Sequence, residues 1–91
     1  MKTINSKIPS AEALHIINTI TSKSLNKSSL LQRLISGDII EWGTLMSLDS
    51  SLNEGVLYLF IDNICQSTIY DLNEEGLSQA IQDATQLLKN F

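Results

Sequence analysis

The chain has 91 residues, 43% hydrophobic and 18% charged, with a formal net charge of −4, one proline and four glycines. That is the size of one small acidic domain, residues 1–91, too apolar and too sparsely charged for a disordered tail. No run of about 18 apolar residues exists to span a membrane, and the single cysteine, Cys65, excludes an internal disulfide and points to a cytoplasmic setting.

Within Met1–Ile20 the apolar residues are interrupted by Glu12, His15 and Asn18, so no signal peptide is expected. Ile8-Pro9-Ser10 reads as a helix entry, with Ser10 as the cap. Ala13, Ile16, Ile17 and Ile20 follow at helical spacing for about three turns, and Thr21-Ser22-Lys23-Ser24 breaks the pattern. A second helix, capped by Asn26 or Ser28, carries Leu30, Leu31, Leu34 and Ile35, and Gly37 stands where a left-handed C′ residue ends it. Residues 38–48 fit two patterns. As a strand, Ile40, Trp42, Thr44, Met46 and Leu48 share a face; as a helix, Asp38 caps with Glu41 three positions on. Ile-Ile, Trp and Thr favour the strand, and Gly43 weakens the helix by about 1 kcal/mol.

Val56-Leu57-Tyr58-Leu59-Phe60-Ile61 is apolar on both faces and reads as a central strand. Asp62-Asn63 tolerates positive φ and predicts a tight hairpin to a partner strand, Ile64 to Tyr70. The expected register sets Ile61 against Ile64, Leu59 against Gln66 and Leu57 against Thr68, leaving Val56, Tyr58, Phe60, Cys65 and Ile69 on the other face. Asp71-Leu72-Asn73-Glu74 resembles a capping box, and Leu77, Ala80, Ile81, Ala84, Leu88 and Phe91 form the stripe of a last helix. The expected fold is α+β, in the order α-α-β-β-β-α: two N-terminal helices, a three-stranded antiparallel meander and a C-terminal helix. No repeat, linker or domain boundary interrupts it.

Charge is split along the chain. Residues 1–37 hold Lys2, Lys7, Lys23, Lys27 and Arg33 against Glu12 alone, a balance of +4; residues 38–91 hold nine acids against Lys89 alone, a balance of −8. A one-signed surface steers basic partners and repels nucleic acid, so direct DNA or RNA binding is not expected despite the cations around the first two helices.

The inventory for catalysis is thin. His15 lies beside the apolar stripe of the first helix and reads as a surface histidine; Cys65 reads as a small core residue with no cation near it in sequence. One His and one Cys cannot build a tetrahedral metal site. Asp71-Leu72-Asn73-Glu74-Glu75-Gly76 echoes a calcium loop, but Gln82 stands where the bidentate Glu belongs. No phosphate-binding motif is present, and the triplet Asn26-Lys27-Ser28 carries no weight without a secretion signal. Neither enzyme activity, metal nor cofactor is expected.

No motif assigns a family. In size and charge alone the chain resembles immunity proteins, antitoxins, phage-encoded inhibitors of host defence (anti-CRISPR proteins among them) and secretion chaperones. The expected function is a non-enzymatic protein that binds and inhibits a larger, basic partner such as a nuclease or nucleic-acid-handling complex. Its electrostatic contacts would be Asp49, Glu54, Asp62, Asp71, Glu74 and Glu75. The alternative is a structural or chaperone-like homodimer joined through an apolar sheet face or edge, with Tyr58, Phe60, Ile64 and Tyr70 as contacts.

Overall fold

A computed structural model describes residues 9–22 and 26–91. Lys2, Lys7 and Ile8, and Lys23 and Ser24 of the expected helix break, lie outside the described residues. The order is α1 (Ala11–Ile20), α2 (Lys27–Ile35), β1 (Ile40–Trp42), β2 (Met46–Ser51), β3 (Val56–Ile61), β4 (Ile64–Asp71) and α3 (Glu74–Leu88). The class is α+β as expected, with four antiparallel strands in the spatial order β1-β2-β3-β4 where three were expected.

The extra strand comes from residues 38–48. Instead of one strand they form a hairpin, folded back at residues 43–45, where Gly43 has a φ of 61°. Trp42 pairs with Met46 and Ile40 with Leu48, so both arms keep their apolar residues on the expected face while Thr44 leaves it for the turn. Glu12 of α1 seals that turn: its carboxylate accepts from the Thr44 backbone N–H and, at 2.8 Å, from the Thr44 hydroxyl. These bonds, the backbone one first, hold the Glu12 carboxyl below its ordinary pKa.

Ser10 caps α1 and Asn26 caps α2, each by accepting a backbone N–H three residues on. Gly37 takes the left-handed C′ position, and the Gly37 and Asp38 amides close α2 by donating to Leu34 and Arg33 carbonyls. The Asp62–Asn63 turn has φ of 54° and 65°, the left-handed conformation that these residue types tolerate. Beyond it the register departs from expectation. Ile61 pairs with Ile64 and Phe60 with Cys65, but a bulge then sets Tyr58 against Ile69 and Leu57 against Tyr70 rather than Thr68.

The expected capping box at Asp71 is displaced by two residues. Asp71 still pairs with Val56, and the Asn73 side chain caps α3 by accepting from Gly76 at 2.8 Å. Gly76 is required by proximity: a Cβ there would overlap the Asp71 backbone, so the first turn of α3 closes onto the end of β4.

One core lies between the sheet and the helices. Ile40, Met46, Leu48, Leu57, Leu59, Ile61 and Tyr70 face Ala13, Ile16, Ile20, Leu34 and the α3 stripe of Leu77, Ala80, Ile81, Ala84 and Leu88. Helix α3 lies on β3 and β4, α2 on β1 and β2, and α1 packs beside α3. Along β3 burial alternates strictly, with Leu57, Leu59 and Ile61 buried and Val56, Tyr58 and Phe60 only partly so. Among the described residues the helices therefore cover one face of the sheet and leave the other open.

Candidate functional site: the open face of the sheet

The open face can be read row by row from the strand register, since directly paired residues share a face. One row is Glu41, Ser47, Phe60 and Cys65; the next is Asp49, Tyr58 and Ile69; the last is Ser51, Val56 and Asp71. The centre is apolar and aromatic on β3 and β4. The flank on β1 and β2 is polar and acidic, and Asp71 stands at the end of β4.

Tyr58 and Asp49 are tied down by hydrogen bonds. The Tyr58 hydroxyl donates to Glu54 Oε1 at 2.9 Å, which brings the β2–β3 turn over the end of the face. That bond, aided by burial, pushes the Tyr58 phenol above its ordinary pKa. Asp49 Oδ1 accepts from the Ser50 backbone N–H at 2.8 Å, which fixes its carboxylate on the strand. Residues 38–71 contain six acids and no lysine or arginine, so no cation from this segment offsets Glu41, Asp49, Glu54 and Asp71. The nearest cation in sequence, Arg33, is engaged by Asp38 at 3.5 Å, an exposed pair of small energetic weight.

The structure divides the expected contact residues into groups. Asp49, Glu54 and Asp71 gather at the Tyr58 end of the open face, Asp49 from β2. Glu74 and Glu75 lie in the first turn of α3 and line, with Asp71, a cleft of about 730 Å³ beside β4. Asp62 stands apart, in the hairpin turn at the opposite end of β3.

Tyr58 and Phe60 are the centre of the face. Tyr70 is a correction: only 5% exposed, it lies in the core under α3, where its hydroxyl donates to Asp83 Oδ2 at 2.6 Å. Burial and that carboxylate push its pKa upward. Ile64 pairs with buried Ile61, so it belongs to the helix side; at the hairpin end it is 64% exposed and away from the open face. Cys65 is a second correction. It lies on the face expected from the sequence, but no helix covers that face and the thiol is exposed. His15 is exposed on α1.

Glu41 and Ile69 belong to the site and were not among the expected contacts. The alternation of Glu41 with Ile40 and Trp42, and the 58% exposure of Ile69 beside Tyr58, place them there. Among the described residues no group of three or more His, Cys, Asp and Glu could hold a metal ion, and no helix is long and apolar enough to cross a membrane. The arrangement presents a surface of apolar and acidic side chains. Compared with known protein families, curated proteins and solved structures, the chain matches none.

Proposed function

We propose that the protein is a small binding protein that seats the open face of its sheet on a larger basic protein and occupies the place where that partner takes nucleic acid. The observation that carries this reading is the composition of the face: an apolar centre of Val56, Tyr58, Phe60 and Ile69 bordered by Glu41, Asp49, Glu54 and Asp71, with no cation among its paired residues. An apolar centre with a charged rim has the anatomy of a protein interface, and the single sign of the rim selects a basic partner and speeds encounter. Inhibition follows from competition, because a surface that mimics the charge of a phosphate backbone excludes that backbone from the same cationic groove.

A homodimer through the same face is disfavoured by the same residues, since two copies would set one acidic rim against the other.

Affinity capture from the native host at low salt, with wild-type protein and with Asp49→Asn/Asp71→Asn, tests the reading. Basic nucleic-acid-handling proteins should be enriched on the wild type and depleted on the double variant, and the purified pair should block nucleic-acid binding by the partner. Retention that ignores both the substitutions and salt would sink the electrostatic reading.

A further inference from the structure

Strand β3 is hydrophobic at every position, the pattern of a strand covered on both faces, yet among the described residues only its Leu57, Leu59 and Ile61 side is covered, by α3. From this missing layer we infer that the occupant of the open face is a basic amphipathic α-helix of the partner, lying along β3 and β4 opposite α3. The inference rests on the proposed function and specifies the element that the face receives.

The dimensions fit a helix. Val56, Tyr58 and Phe60 make a strip about 13 Å long, at about 3.3 Å per residue. That is some two and a half turns of helix, room for three anchors at i, i+3 or i+4, and i+7. Two neighbouring strands with their side chains are about as wide as one helix.

The charge pattern then distinguishes a helix from a second sheet. A helix over β3 and β4 leaves Asp49 and Glu41, on β2 and β1, along its flank in water, where lysines and arginines of the helix can meet them. A sheet stacked over all four strands would bury both carboxylates. Addition of a strand to the edge of β4 is opposed by the fold. The bulge between the Tyr58 and Phe60 pairings distorts that edge, and the first turn of α3, at Gly76, closes on its Asp71 end.

Three synthetic peptides of about 15 residues, equal in leucine and lysine content, test the inference on the full chain. One places leucine at helical spacing, one alternates leucine and lysine, and one is scrambled. Binding is read by fluorescence anisotropy, and position by the rate at which iodoacetamide alkylates Cys65, which lies on the face beside Phe60. The helical peptide should bind about tenfold tighter than the scrambled one, gain helical circular dichroism, and slow Cys65 alkylation in proportion to occupancy. Asp49→Asn should weaken it, and so should salt.

Tighter binding and stronger Cys65 protection by the alternating peptide would overturn the helical occupant while leaving a basic partner in place. Equal binding of all three, or binding without Cys65 protection, would also overturn it. Failure of every basic peptide to bind or protect Cys65 would remove the proposed function with it.

Discussion

Glu12 is the only acid among the first 37 residues, and its carboxylate is engaged with a turn 32 residues away in sequence. The folded carboxyl titrates below the ordinary 4.5, so its contribution to stability is present above that value and is lost as pH falls through the lower folded pKa. Thermal melts from neutral pH down to pH 3 should show an acid-side loss in the wild type that is smaller in Glu12→Gln. Parallel curves would mean that the bond to Thr44 does not persist in solution. Tyr70 has the opposite sign. Its raised pKa favours the protonated phenol in the fold, so that contribution is complete below the ordinary 10.0 and declines as pH rises above it. Tyr70→Phe should abolish this alkaline component in the same kind of melt. Gly76→Ala asks for space that the Asp71 backbone occupies, and overpacking against main chain should cost about 1–3 kcal/mol in denaturant unfolding. A neutral result would place α3 farther from the end of β4.

Among the elements, α3 carries the largest share of the core. Leu77 and Leu88 are fully buried, and truncating either to alanine should destabilise by about 2–5 kcal/mol, measured by urea unfolding; an unchanged midpoint would show that the stripe is not core. The same stripe was legible in the sequence because a 3.6-residue period needs no knowledge of the partner surface. The Asp62–Asn63 turn was legible for a comparable reason, since two adjacent residues that tolerate positive φ leave few alternatives. The β1–β2 hairpin was hidden by parity. Met46 lies four positions after Trp42, an even step, so folding back at Gly43 left the alternation unbroken and the segment looked like one strand. The β4 bulge hid in the same way: a register shift of two residues keeps each side chain on its face while moving Tyr70 opposite Leu57. Much of the site was legible as residue types, Tyr58, Phe60, Asp49, Glu54 and Asp71 among them. Which face of β3 the helices would cover was not, because both faces are apolar, and that uncertainty accounts for the misplacement of Cys65 and Tyr70.

For the molecule as a whole, charge acts in opposite directions on self-association and on capture of a basic partner, whereas apolar surface favours both. Like-charged open faces repel at low salt, so light scattering should give a mass near 10.1 kDa there, with any dimer increasing as salt is raised. Binding to a basic partner should fall over the same range. A dimer that is full at low salt and insensitive to it would reassign the face to self-association. The closure of α3 onto β4 has a separate consequence, for polymerisation. A sheet with one bare apolar face and a free edge on its longest strand has what a fibre needs: surface to stack on and an edge to extend. Here extension is opposed at the bulge and at Gly76, while stacking is opposed by the acids along the face. Fibril growth therefore requires two separate defects. An opened edge with the core intact, or a rim neutralised by acid, should each leave the protein dispersed, whereas the two together should gel it.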